Sequence, residues 1–172
     1  MPDPRVWAAL LLLVGCGEGQ DAPRPPLIPI ADVPRDGPGV SLEELLAAGA
    51  DPARLPELLR RVGTPRDFER TAIPGGELQA WRYPGLSFTV RVGSGAERLT
   101  RVEVTGEGHR TADGLRVGMT REAVTGIRGQ PSRREGEVDV HAREGGELRV
   151  RYSEEGVVEA LEWQFDAASS GD

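Results

Sequence analysis

The sequence contains no lysine and no asparagine, and it has two histidines, one cysteine and few aromatic residues. Without lysine the chain cannot form a Schiff base with a carbonyl substrate, and two histidines leave little capacity for acid–base catalysis near neutral pH. Acidic residues outnumber basic ones by 28 to 21, so the formal net charge is -7. A surface of this sign has no long-range attraction for nucleic acid or for an anionic bilayer.

The chain also lacks an apolar run of the roughly 20 residues that a membrane-spanning helix needs. Its amino terminus instead has the pattern of a secretory signal peptide, predicted over residues 1–15, in which Arg5 precedes the short apolar run 6–14. The run ends in Leu13-Val14-Gly15-Cys16, which resembles the lipobox of bacterial lipoproteins. In that family a diacylglycerol group is attached to the cysteine thiol and a peptidase cleaves just before it, which implies lipidation of Cys16.

Cys16 is the single cysteine of the protein, and an unpaired thiol is a liability in an oxidising compartment unless it is used. Two or three acyl chains, at about 0.8 kcal/mol per buried CH₂, would anchor the protein stably. Gly17 follows the cysteine. By similarity to Gram-negative lipoproteins, this implies the outer membrane, with the protein facing the periplasm. In a Gram-positive source the anchor would lie in the outer leaflet of the plasma membrane.

Residues 16–40 are predicted to be the lipidated cysteine and a proline-rich tether, with prolines at 23, 25, 26, 29, 34 and 38. Polyproline structure rises about 3.1 Å per residue, so this segment could hold a domain on the order of 70 Å from the bilayer. At the other end of the chain, residues 167–172 are predicted to be a disordered tail.

Between these ends the pattern predicts helices followed by strands. A capping box at Ser41 to Glu44 opens one helix, and leucines at 55, 58 and 59 mark a second. Three strand-like runs follow, at 78–83, 86–92 and 99–105. The same order of helix and strands is then repeated. A helix capped by Thr120 is followed by strand-like runs at 138–143, 148–152 and 157–165. We predict an α+β fold of two tandem helix-plus-three-strand repeats, 41–106 and 107–166, forming an antiparallel sheet with helices packed on one face.

The second half carries a family resemblance. The run Gly118-Met119-Thr120-Arg121-Glu122-Ala123-Val124, then Gly129-Gln130-Pro131 and the strands at 148–152 and 157–163, resembles the SmpA/OmlA and β-lactamase-inhibitor-protein-like group. Arg128 stands where that group usually has an apolar residue. The resemblance implies a short helix packed on an antiparallel sheet. It also implies a non-catalytic role, either as an assembly or scaffold accessory in the envelope or as an inhibitor of an enzyme such as a β-lactamase.

Strand alternation predicts two faces of the sheet. The face to be buried under the helices collects Leu78, Ala80, Phe88, Val90, Val92, Val102, Val104, Val138, Val140, Ala142, Leu148, Val150, Tyr152, Leu161, Trp163 and Phe165. On the opposite face we predict a protein-binding surface, because two large aromatic residues beside arginines have the composition of a binding hot spot. Its residues are Trp81, Tyr83, Arg91, His141, Arg149 and Arg151. The alternative is that the register of the first strand is flipped, or that a loop or the tether covers the two rings.

The sequence contains no motif that predicts catalysis. It has no Gly-x-Ser-x-Gly elbow and no glycine-rich phosphate loop before a helix, and neither His109 nor His141 has a second ligand at metal-binding spacing. We therefore predict no catalytic residue, no metal, no cofactor and no nucleic-acid partner, and a partner that is another envelope or periplasmic protein. The alternative is a small envelope hydrolase or metal-dependent enzyme that uses His141 with neighbouring carboxylates.

The anchor is testable by removing the thiol. We expect Cys16→Ala to leave the precursor unprocessed, or to move the protein into the aqueous phase of a detergent phase separation, since no acyl chain can then be attached. Unchanged membrane association of the variant would contradict lipidation.

Overall fold

The protein is described by a computed structural model over residues 38–93 and 96–166. The predicted signal peptide (1–15), the lipidation site at Cys16, the tether up to residue 37 and the predicted tail (167–172) lie outside the described residues. In the described ranges, no helix has both the length and the apolar character that crossing a membrane requires.

The first two helices form where the sequence places them. Helix α1 spans Leu42–Ala50, and the predicted capping box is confirmed because the Ser41 hydroxyl accepts from the Glu44 N–H while the Glu44 carboxylate accepts from the Ser41 N–H at 2.8 Å. A 3₁₀ turn, Pro52–Arg54, leads into α2, Leu55–Arg61. Gly49 lies inside α1. A Cβ there would come within 2.1 Å of the Phe165 ring, so this glycine lets α1 approach the sheet closely.

The third helix, α3, spans Arg121–Arg128 and lies between the two groups of strands in the chain. The hydroxyl of Thr120 accepts from the Ala123 N–H at 3.3 Å, which confirms the predicted cap. The helix ends at Gly129, whose φ of 76° lies in the left-handed region that glycine adopts without strain.

Within the described residues, eight strands form one sheet in which all neighbours are antiparallel. The strands are β1 (Asp67–Ile73), β2 (Gly76–Tyr83), β3 (Leu86–Gly93), β4 (Ala96–Val104), β5 (Arg133–Glu135), β6 (Val138–Arg143), β7 (Gly146–Tyr152) and β8 (Val158–Phe165). Their order is β1-β2-β3-β4-β8-β7-β6-β5. The two groups of strands join where β4 pairs with β8, with Val102 opposite Trp163 and Val104 opposite Leu161.

The prediction of two helix-plus-three-strand repeats was wrong, because the structure is a single eight-stranded antiparallel sheet with three short α-helices. Strands β1 and β5, one at each edge of the sheet, were not predicted. Every residue of β5 and nearly every residue of β1 is exposed, so neither strand has the alternation of apolar and polar residues that marks a half-buried strand. The helices differ as well, since α1, the 3₁₀ turn and α2 precede β1 whereas α3 alone precedes β5.

The core lies between the helices and one face of the sheet. Leu45, Leu55 and Val124 from the three helices are completely or almost completely buried, as are Phe88, Val102 and Trp163 from β3, β4 and β8. The loop between β4 and α3 adds Leu115, which is also fully buried. We call this side of the sheet the helix face and the opposite side the open face.

The predicted faces were wrong for β2. Trp81 lies opposite Phe88 and Tyr83 opposite Leu86, so both aromatic residues are on the helix face, while Leu78 and Ala80 are on the open face. Tyr83 is 6% exposed and its hydroxyl donates to the Gly63 carbonyl at 2.6 Å. Turning the two large rings inward buries more apolar area than Leu78 and Ala80 would, which outweighs the pattern of smaller apolar residues.

The predicted faces were also wrong for β6. Asp139, His141 and Arg143 lie on the helix face, because their partners on β7 are Val150, Leu148 and Gly146. Val138, Val140 and Ala142 consequently lie on the open face. The partners that compensate Asp139 come from other elements: Arg134 of β5 lies 3.1 Å away and Arg121 of α3 lies 3.5 Å away. Alternation within one strand carries no information about such partners.

The buried position of Tyr83 is testable by stability. We expect Tyr83→Ala to lower the free energy of unfolding by about 3–5 kcal/mol, and Tyr83→Phe, which loses only the hydrogen bond, by about 1 kcal/mol. Denaturant unfolding of both variants measures the difference. Equal stability of Tyr83→Ala and the parent protein would contradict the buried assignment.

Candidate functional site

The six residues of the predicted binding surface do not share one face. Trp81, Tyr83 and His141 lie on the helix face, whereas the arginines at 91, 149 and 151 lie on the open face. The structure thus removes the aromatic residues from the surface on which sequence alternation placed them. A protein-binding role for the three arginines stays a prediction.

The open face is organised by ion pairs that run across the strands. Arg101 of β4 lies 2.9 Å from Glu162 of β8 and 3.4 Å from Glu103. At the β1 edge, Arg82 lies 2.7 Å from Asp67 and 2.9 Å from Glu69. Such exposed pairs contribute about 0–1 kcal/mol each to stability, so their main effect is to hold the charged groups in fixed positions.

The most ordered part of the open face is a closed ring of four charged residues. Arg133 contacts Glu135 at 2.7 Å and Glu147 at 2.9 Å, and Arg149 contacts the same two carboxylates at 2.6 and 3.1 Å. Val140 lies opposite both arginines and is fully buried although it points away from the core, because the side chains of the ring cover it. The hydrogen bonds from Arg133 and then Arg149 lower the pKa of Glu135.

Other arginines of the sheet have no such partners. Arg91 of β3 lies directly opposite Arg98 of β4, and neither makes an ion pair within residues 38–93 and 96–166. Like charges in directly opposite positions are destabilising. Arg151 makes one loose contact, 3.9 Å from Glu159. Among the described residues of the open face, these arginines are available to an anionic partner.

The helix face holds a second candidate site, a cleft of about 1050 Å³ beside α1 and the end of β6. Leu99, Leu148 and Trp163 line its apolar part, and His141, Arg128 and Arg143 are among its polar residues. A volume of this size lies at the upper end of the range of small-molecule sites.

One wall of this cleft is fixed by hydrogen bonds from the loop between β4 and α3. The Glu43 carboxylate on α1 accepts from the Ala112 N–H at 2.6 Å, and Arg128 lies 2.9 Å from Asp113. The Thr111 hydroxyl is also hydrogen-bonded to Asp113, and it accepts from the Leu115 N–H at 2.9 Å. The loop is therefore held against both α1 and α3.

His141 is 8% exposed, and its Nε2 is buried without a hydrogen-bond partner in the described part of the chain. Burial lowers the pKa of His141 first, the positive charge of Arg128 lowers it further, and Asp139 acts in the opposite direction. No hydrogen bond between His141 and a carboxylate is present among the described residues. Nor do three or more His, Cys, Asp or Glu side chains come together there at metal-binding distances.

Sequence reasoning missed Arg128 and Arg143 as members of a site. Alternation placed Arg143 on the solvent side of the sheet, as it did His141. No local pattern in the sequence brings these two arginines together, because Arg128 ends α3 and Arg143 ends β6.

No protein-family model matches the sequence, and no curated protein matches it. Among solved structures the fold is similar to that of an extracellular protein containing an SCP domain from Bacillus anthracis, with a TM-score of 0.51 and 13% sequence identity. The similarity covers 81% of this chain and 50% of that chain, so this protein spans about half the length of its structural neighbour. At this identity the neighbour establishes the fold alone.

The environment of His141 is testable by pH titration. We expect its imidazole to titrate below 6.5, because burial and Arg128 both disfavour the protonated form. The unfolded chain then binds a proton more readily than the folded chain, so stability is lost as the pH falls below 6.5. Imidazole Cε1–H resonances followed by NMR give the midpoint. A midpoint above 6.5 would contradict the assignment, and His141→Gln should reduce the slope of stability against pH in this range.

Proposed function

We propose that this protein is a membrane-anchored, non-catalytic lipoprotein that faces the periplasm and binds another envelope protein through the open face of its sheet. The lipobox at Cys16 supports the anchor. The observation that carries the binding role is that the buried apolar side chains of the three helices and of the loop before α3 all belong to the core on the helix face. An assembly or scaffold role and the inhibition of a periplasmic enzyme are both compatible with such a surface.

The dimensions of the open face support one continuous interface. Eight strands spaced about 4.8 Å apart make a surface about 34 Å wide, and a stable complex buries about 800 Å² per partner. Arg91 lies three strand spacings from Arg149 and Arg151, so all three fall within about 25 Å of one another. A single partner of ordinary size would contact all of them.

The chemistry of the open face favours a partner with a carboxylate-rich surface. Arg91 and Arg98 repel each other across neighbouring strands, and a carboxylate placed between them would relieve this repulsion. With Trp81 and Tyr83 on the helix face, electrostatic complementarity replaces the aromatic hot spot as the source of specificity. The association should therefore weaken as the salt concentration rises.

The alternative of a small envelope hydrolase receives less support from the site. His141 lies near Arg128, which disfavours its protonated form, and the nearby carboxylate of Asp139 contacts Arg121 and Arg134. A general base needs a hydrogen bond that orients it, and none to His141 is present among the described residues.

The binding role is testable by reversing charge on the open face. We expect the double variant Arg91→Glu/Arg151→Glu to weaken binding of a crosslinked and purified envelope partner by at least about tenfold, because both side chains are exposed and would repel an acidic surface. Titration of the purified partner at low and at high salt gives the affinities.

The matched control is Arg54→Glu/Arg60→Glu, which makes the same charge change on the exposed 3₁₀ turn and α2. It should leave the affinity unchanged. Equal binding by both double variants, or binding that does not respond to salt, would overturn the proposed interface.

A further inference from the structure

Arg143 is a cation that has no counter-ion in the part of the chain that the structure describes. Within the described residues it makes no ion pair, and its guanidinium carbon lies 5.4 Å from the centre of the Phe165 ring. Burial lowers the pKa of Arg143, and the positive charge of Arg128 lowers it further. Arginine nevertheless stays protonated in proteins. A half-buried positive charge with no anion beside it is unfavourable, so the cleft has a place for an anion.

His141 supplies a second donor at the same place. It precedes Arg143 by two residues on β6, so the two side chains lie on the same face with Cα atoms about 7 Å apart. Both line the cleft, and the buried Nε2 of His141 has no acceptor among the described residues. A neutral imidazole with its proton on Nε2 would donate to an oxygen that a guanidinium also contacts.

The acidic residues of the cleft do not occupy this position. Glu43 accepts from the Ala112 N–H, and Asp113 is paired with Arg128 and hydrogen-bonded by Thr111. Glu144 and Asp166 are exposed, and neither forms an ion pair with Arg143. A third cation of the cleft, Arg98, adds to the positive potential because it has no ion pair in the described ranges. The carboxylates of the cleft are therefore hydrogen-bonded elsewhere or exposed, and none of them pairs with Arg143 within the described residues.

We infer that this cleft binds an amphipathic carboxylate, whose anionic group is held by Arg143 and His141 while its apolar part lies against the half-buried Leu46 and Ala47 of α1. A planar guanidinium matches a carboxylate in geometry. A singly charged carboxylate also costs less to remove from water than a doubly charged phosphate, which suits a cleft whose deep side is apolar. Arg143 and His141 lie on the opposite side of the sheet from Arg91, Arg149 and Arg151, and Arg98 borders both surfaces.

The test uses the purified full chain and 4-phenylbutyrate as the probe, with ¹³C-labelled histidine observed by NMR. The Nε2 of His109 lies 3.4 Å from the carbonyl oxygen of Pro84, and His109 does not line the cleft. It is therefore an internal control for general pH and salt effects. We expect a saturable shift of the His141 resonance, a rise in its titration midpoint and no change at His109. The neutral 4-phenylbutyramide and inorganic phosphate should each bind at least about tenfold more weakly.

Two variants make the test specific. Arg143→Gln should weaken binding of 4-phenylbutyrate by at least about tenfold, whereas Arg101→Gln on the open face should leave it unchanged. If Arg143→Gln does not fold, Arg143→Lys keeps the charge, loses the planar fork and should still weaken binding. Each of three results would overturn the inference: no saturable shift at His141, equal binding of the amide, or tighter binding of phosphate than of the carboxylate.

Discussion

The pairing of β4 with β8 is the contact on which the rest of the structure depends. These strands are distant in sequence, yet their register places Val102 against Trp163 and Val104 against Leu161, and all four residues are almost completely buried. The pairing turns two groups of antiparallel strands into one sheet with one core, and β1 and β5 are the edges of the sheet in the described part of the chain. Without it, each group would expose an additional edge strand and half of an apolar face.

A single sheet of this kind has two sides with different chemistry. On the open face most charges are compensated within the protein, and the ring of Arg133, Glu135, Glu147 and Arg149 covers Val140. On the helix face, within the described residues, Arg143 has no ion pair and the Nε2 of His141 has no hydrogen-bond partner. Compensated charges fix a surface in place, whereas a half-buried charge without a partner is stabilised when an opposite charge binds beside it. The two proposals of binding rest on this difference.

The helix starts could be predicted because their chemistry is local. Ser41 with Glu44, and Thr120 with the Ala123 N–H, are contacts over three residues, and the sequence shows both partners together. The edge strands could not be predicted, since β5 consists of three exposed charged residues that pair with β6 only when the sheet is present. The direction of the side chains on β2 and β6 could not be predicted from alternation. On β2 the rings of Trp81 and Tyr83 bury more apolar area than Leu78 and Ala80 would, so the rings face the helices.

By itself, the sequence determined the capped helices and most of the strands, because these depend on residues that are adjacent or nearly so, whereas the export and lipidation signals stay predictions. Only the tertiary structure decided which side of β6 faces the helices, and with it the positions of Asp139, His141 and Arg143. Their environment comes from α1, α3, β5 and the loop before α3, all of which are separate in sequence. A strand pattern reports two alternating sets of residues, and the side that becomes buried is set by the free energy of packing against elements elsewhere in the chain.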